Sequence, residues 1–293
     1  MNKNSIYTCS RNAIIILLVA LVSACQSSKK LTIEKTNQAN ALFNAGNYTE
    51  AFNAYLAIDS VALLSDTIAR RNAIISAYNT HNYKYATSHA IFAFNNDKEL
   101  LTAVEKSFCA LGMTEKANVL ILNYESIFTA EYGEKAIANR LAAYHNERES
   151  RQLVNYYSKI DNDSLRVACF DNYFKFTSSS MSDDEKLSAC KEILQLAPKQ
   201  ETALRFMAIN QYKTAEAKYN AAMAEYNKKK NATTYAYLRR DLKRISATYR
   251  ECKAKFETLR TINPENKDYI KYLININLRL DNNAQAKELE KQL

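Results

Sequence analysis

Glu201 to Asn263 contains no Gly and no Pro, and the whole 293-residue sequence holds only 3 Gly and 2 Pro. Tight turns and hairpin reversals draw on these two residues more than on any others. A sheet needs such a reversal after every short strand, so this chain has too few turn formers to build one. Long stretches rich in Ala, Leu, Lys and Glu leave helices. Hydrophobic residues make up 47% and charged residues 24%, which is enough apolar surface to fold and too much for a disordered chain. The expected fold class is all-α.

The amino terminus reads differently from the rest. Residues 1–12 carry Lys3 and Arg11 and no acid, and residues 13–22 form an apolar run, AIIILLVALV. Ten residues are too few to span a bilayer as a helix, and this layout is that of a signal peptide. The run ends in Leu21-Val22-Ser23-Ala24-Cys25, which resembles the lipobox of bacterial lipoproteins. The resemblance implies cleavage after Ala24, a diacylglyceryl group on the Cys25 thiol and an acylated new amino terminus, with chains such as palmitate. Two or three acyl chains anchor stably where one holds only marginally. Gln26 stands where many enterobacterial-type lipoproteins carry an inner-membrane retention Asp. The resemblance therefore implies the outer membrane, facing the periplasm because no acidic export tag follows Cys25. Residues 1–24 are then the removed signal and 25–32 a lipidated cysteine with a short tether.

The mature chain repeats. Ala39, Leu42, Gly46, Tyr48, Ala51 and Tyr55 fall at the offsets of a tetratricopeptide (TPR) unit, which they resemble: Gly46 for the turn, Ala51 where the paired helix comes close. Ala77, Tyr83, Ala86, Ala90 and Ala93 follow 35 residues later, with His81 at the turn. Phe108, Gly112, Ala117 and Tyr124, then Leu141, Tyr144, Leu153, Tyr157 and Ile160, continue more loosely. Cys190 and Ile193 precede Pro198, and Cys252, Phe256 and Leu259 precede Pro264, each proline at a unit's end, where a helix cannot continue. TPR-like repeats are expected over 33–200, and a last helical pair over 264–293, broken at Asp281-Asn282-Asn283 with Ala286 at its close contact. The resemblance implies a TPR-like α/α solenoid of six or seven helical pairs, each unit packing on the next. A generic antiparallel helical array is the alternative.

The gap-free stretch, 201–263, is about twice one repeat. Ala208, Tyr212, Ala215, Tyr219, Ala222 and Tyr226 alternate at four and three. After a polar Lys228-Lys229-Lys230-Asn231 turn, Tyr235, Leu238, Leu242, Ile245, Tyr249, Cys252, Phe256 and Leu259 do the same. Two heptad stripes joined by a turn predict a long antiparallel coiled-coil hairpin, with Thr233 or Thr234 capping the returning helix. The charge gathers here. Residues 227–260 hold eleven Lys or Arg against three acids, an excess of eight in a chain whose formal charge is +9. Lys228, Lys229, Lys230, Arg239, Arg240, Lys243 and Arg244 are the candidate contacts to an anionic surface of lipid, lipopolysaccharide or glycan. A solvated helix face is the plain alternative.

No glycine-rich phosphate loop, GxSxG or HExxH occurs. His81, His89 and His145 are scattered, and Cys109, Cys169, Cys190 and Cys252 show no metal spacing. These cysteines read as small core residues, with one disulfide an open alternative whose pairing spacing does not give. Asp183-Asp184-Glu185 after Ser182 reads as a helix's first turn. No enzyme, cofactor or metal is expected. The expected function is a membrane-anchored protein-interaction scaffold of the cell envelope, its concave face holding proteins or peptides through Tyr48, Tyr55, Tyr78 and Tyr83, since Tyr suits half-wet contacts. The chain is broadly similar to the TPR lipoproteins of secretion, motility and outer-membrane assembly complexes, whose pattern lacks the basic hairpin. Binding an anionic surface is the alternative function. An exported chain does not meet nucleic acid.

Overall fold

A computed structural model describes residues 29–90 and 96–293. The signal segment, Cys25 and Ala93 lie outside the described residues. Among those described, every regular element is helical and none is a strand. The chain divides into two compact units, Met1–Ile137 and Ala138–Leu293.

The first unit holds α1 (29–44), α2 (Tyr48–Leu56), α3 (Ser60–Ser65), α4 (Thr67–Asn79), α5 (Tyr83–Ser88), α6 (Lys98–Ala110), α7 (Thr114–Asn123) and α8 (Glu125–Tyr132). Residues 29–32, expected as extended tether, are already helical. Neither Gly nor Pro occurs between 26 and 45, so no breaker stops the helix there. Ala39, Ala51, Tyr55, Ile58, Leu63, Ala69 and Ala73 pack into one core. Two carboxylates split what would be one long connection into α3 and α4. Asp59 accepts from the Val61 and Ala62 amides, and Asp66 from those of Ile68 and Ala69, each satisfying the orphan donors of a helix start.

The second unit begins within α9 (Glu134–Glu147). A 3-10 turn (Arg151–Leu153) leads into α10 (Val154–Tyr157), followed by α11 (Asp163–Thr177), α12 (Asp183–Leu196), α13 (Glu201–Lys228), α14 (Ala232–Ile262), α15 (Lys267–Arg279) and α16 (Asn283–Glu290). Asp183, Asp184 and Glu185 form the first turn of α12, as expected, and Ser182 and Glu185 also close a reciprocal cap there. Helices α12 and α14 end at Leu196 and Ile262, two residues before Pro198 and Pro264.

One turn recurs in both units. Gly46, His81 and Gly112 in the first, and Glu149 and Asp281 in the second, have positive φ between 46° and 77°. At each, the following amide donates five residues back: Asn47 to Leu42, Asn82 to Ala77, Met113 to Phe108, Ser150 to His145 and Asn282 to Asn277, over 2.7–3.0 Å. This is the Schellman closure of a helix end. It marks the same point of successive hairpins, so the repeat is a recurrence of geometry as well as of residue types. The architecture is all-α and TPR-like.

The predicted hairpin is α13 and α14, helices of 28 and 31 residues, about 42 and 46 Å long. Along α13, Ala208 and Ala215 are fully buried while Tyr212, Tyr219 and Ala222 are half-buried. Along α14, Leu238, Ile245, Tyr249, Cys252, Phe256 and Leu259 are buried. The small residues of one seam thus take the large ones of the other. Tyr235 is 51% exposed, so the seam opens toward the turn. The cap of α14 is Asn231, with Thr234 reciprocating three residues on. The predicted Thr233 or Thr234 cap is corrected by one turn, because the Asn231 carboxamide reaches the Thr234 amide. Toward its base the hairpin is fastened to α15. Glu216 accepts from the Tyr249 hydroxyl at 2.7 Å and from Arg279 at 2.8 and 2.9 Å, and Arg279 lies 4.2 Å from the Tyr219 ring centroid.

Candidate partner-binding groove

Two depressions bear on partner binding, one in each unit. In the first unit Tyr48, Ile75, Tyr78, Asn79, Thr102 and Ala103 line a groove of about 400 Å³ whose rim carries Lys98, Glu99 and Glu131. Two of the four expected tyrosines therefore share it. Tyr48 packs edge-on against Phe43, with centroids 5.6 Å apart. Tyr83 lies half-buried beside Tyr78 at 6.2 Å, its hydroxyl 2.6 Å from His81 Nδ1. Tyr55 is a correction: its ring has no exposed surface and its hydroxyl donates to Asn40 Oδ1 at 2.6 Å, an oxygen that also accepts from Asn72 at 3.1 Å. Burial pushes its phenol up to about 12. It is a core residue and offers nothing to a partner. The rim charges cancel one another: Lys98 pairs with Glu131 at 2.7 Å, and Glu99 with Arg71 at 2.6 Å, which also binds Asp97.

The groove of the second unit is larger, about 700 Å³, and its charges do not cancel. Thr202, Arg205, Phe206, Ile209, Asn210 and Lys213 of α13 form one wall, and Asp268, Lys271, Tyr272 and Asn275 of α15 face them, with Phe174 of α11 behind. Both walls are helical stripes at spacings of three and four, so one face of each helix is presented along the cleft. The rings are held in place. Phe206 meets Phe174 edge-on at 5.4 Å, and Tyr272 is stacked on Phe256 at 4.5 Å and met edge-on by Tyr212 at 5.1 Å. Lys271 pairs with Asp268 at 2.9 Å, and Asp183 with Lys186 at 3.2 Å. Among the described residues Arg205 and Lys213 pair with no acid, and they are about 12 Å apart along α13. The side chains of Asn210 and Asn275 make no hydrogen bond among the described residues.

That combination has a definite chemistry. Carboxamides offer both a donor and an acceptor to an extended main chain. Half-exposed rings take an apolar side chain, and two unpaired cations take carboxylates. None of these residues is among the sequence candidates, although the spacing Thr202, Arg205, Phe206, Ile209, Asn210, Lys213 is visible in the sequence. The heptad on the other side of α13 masks it.

The candidate cations of the hairpin, Lys228, Lys229, Lys230, Arg239, Arg240, Lys243 and Arg244, are all exposed. Near the base the cations are engaged: Lys253 donates to Asn277 and Gln285, Lys255 to Gln211, and Arg260 to Gln292. Cys169, Cys190 and Cys252 are buried, and burial pushes their thiols up to about 11, 12 and 11. Cys109, expected in the core, is exposed instead, its thiol directed to Glu105 Oε1 at 3.1 Å. Cys169, Cys190 and Cys252 are free thiols. Among the described residues no helix is long and apolar enough to cross a membrane.

No family model matches the chain, and no curated protein is similar to it. Among solved structures, the crystal structure of a TPR repeats protein from Bacteroides fragilis is 16% identical over 84% of this chain and 98% of that one, at a TM-score of 0.31.

Proposed function

We propose that this protein is an interaction scaffold of the bacterial cell envelope that holds an extended, acidic segment of a partner protein in the groove between α13 and α15. The observation that carries this reading is the pair of unpaired cations, Arg205 and Lys213, on a stripe that also presents Phe206, Ile209 and Asn210. An extended peptide gains affinity from main-chain hydrogen bonds and specificity from side-chain pockets, and this groove offers both. The envelope address rests on Leu21-Val22-Ser23-Ala24-Cys25. That segment supports an acylated Cys25, Gln26 and the lack of an acidic tag after it support the periplasmic side of the outer membrane, and the repeats support a subunit of a secretion, motility or outer-membrane assembly complex.

Purification of the full chain from detergent-solubilised envelopes tests the binding function. A stoichiometric partner is expected, and it is lost when Arg205→Glu and Lys213→Glu are combined. Recovery of the same partner by the double variant would remove the groove from the account. The anchor is tested separately by feeding cells labelled palmitate. The wild-type chain takes up label, and Cys25→Ser yields an unlabelled, uncleaved precursor. A Cys25→Ser chain that is still processed and membrane-bound would contradict acylation at that position.

A further inference from the structure

The far half of the hairpin has a composition that the groove does not use. No side chain of residues 220–248 makes a hydrogen bond, ion pair or ring contact with the rest of the second unit, and only Leu238 and Ile245 within them are buried. The last nine residues of α13 and the first seventeen of α14, about 14 and 26 Å, thus carry no tie but the hairpin's own seam. This segment holds seven Lys or Arg and two acids. Glu225 pairs with Lys228 at 2.9 Å, and Asp241 with Arg240 at 3.2 Å. Among the described residues Lys229, Lys230, Arg239, Lys243 and Arg244 have no acidic partner. On α14 the basic residues 239, 240, 243 and 244 span an arc centred about 170° from the seam residues Leu238, Leu242 and Ile245, at 100° per residue. They point outward. Around the turn, Tyr226 and Tyr235 lie 6.0 Å apart, and Tyr237, 55% exposed, sits 5.3 Å from the Arg240 guanidinium.

We infer that this tip docks on the surface of an anionic phospholipid bilayer, with Lys228, Lys229 and Lys230 at the headgroup phosphates and Tyr235 and Tyr237 at the headgroup level. A cluster of cations attracts anionic lipid electrostatically, and tyrosine rings settle at the polar–apolar boundary of a membrane. Lys228, Lys229 and Lys230 crowd the turn itself, all exposed, and farther back Arg244 lines a depression of about 480 Å³ together with Glu225 and Asp241. The turn suits a broad charged plane better than a folded acidic partner, which would need a shaped recess. The interaction is independent of the peptide groove.

The sequence has no Trp, so Tyr237→Trp in the full chain gives a reporter that sees the tip alone, whatever the amino-terminal segment does. With phosphatidylcholine–phosphatidylglycerol vesicles its emission should shift to the blue and be quenched by lipids brominated near the headgroup. High salt should reverse the shift, and pure phosphatidylcholine should not produce it. Leu196→Trp, on α12, should not respond. Adding Lys228→Gln, Lys229→Gln and Lys230→Gln should raise the lipid concentration at half-effect by about 100-fold. Unchanged Tyr237→Trp emission with both vesicles would overturn the inference, as would an equal response to neutral vesicles. A response to soluble polyglutamate without quenching by brominated lipid would overturn it in favour of an acidic protein partner.

Discussion

His145 is buried at 3% exposure, and neither of its ring nitrogens finds a hydrogen-bond partner. The ring lies parallel to Tyr156 with centroids 5.8 Å apart and meets Tyr144 edge-on. Burial first, and the charge of Arg148 second, pull its pKa below the ordinary 6.5. The folded ring stays neutral at a pH where the unfolded chain takes up a proton. Stability is therefore unaffected well above 6.5 and falls as the pH drops below it toward the lowered value. His145→Phe keeps the stack and removes the titration. Its thermal midpoint should fall less than that of the wild type between pH 7.5 and 5, and parallel curves would contradict this. Residue type alone does not reveal such placements. Tyr55 and Tyr48 are alike in the sequence, yet one is a core residue hydrogen-bonded to Asn40 and the other lines a groove. Cys109 has helical neighbours like those of Cys169, yet it is exposed. Burial depends on which way a helix is turned, and two helices of one pair need not turn as the repeat suggests.

At the scale of elements, whatever rested on periodicity was legible. The alternation from Ala208 to Leu259 predicts the hairpin because heptad spacing leaves one apolar seam with one geometry that covers it. Gly46 and Gly112 mark turns in the sequence, whereas His81, Glu149 and Asp281 adopt the same positive φ without announcing it. The αL position at a helix end is common for Gly but not reserved to it. Helix α3 breaks the repeat for a local reason, its Asp59 cap, that period alone does not register. The fastening at Glu216 was equally invisible, since Glu216 and Arg279 are 63 residues apart. Arg279 holds the Glu216 carboxyl below its ordinary value. Its contribution is therefore present at neutral pH and lost only as the pH falls through that lowered value. Glu216→Ala strips an acceptor from the buried Tyr249 and a partner from Arg279, and should cost about 2 kcal/mol. Glu216→Gln, which keeps one acceptor, should cost less. Urea unfolding distinguishes the two, and equal losses would mean that shape rather than hydrogen bonding matters there.

Across the whole molecule, three jobs fall to different parts of one chain. The segment ending at Cys25 supports a membrane anchor, the hairpin helices fix a groove, and the hairpin's outer half carries most of the surplus positive charge. Composition located that charge correctly but could not distinguish its parts: Lys253, Lys255 and Arg260 are tied to amide partners, and Lys229, Lys230, Arg239, Lys243 and Arg244 are not. The central claim is that the groove between α13 and α15 takes an acidic segment of another protein. A photo-crosslinking residue at Ile209, in the groove wall, tests it most directly in cells producing the full chain. The account predicts one discrete protein adduct, mapped by mass spectrometry to an acidic stretch of the partner, absent from the Arg205→Glu, Lys213→Glu variant and absent when the crosslinker sits at Lys191 instead. An adduct unaffected by the charge reversal, or none above the Lys191 control, would contradict it.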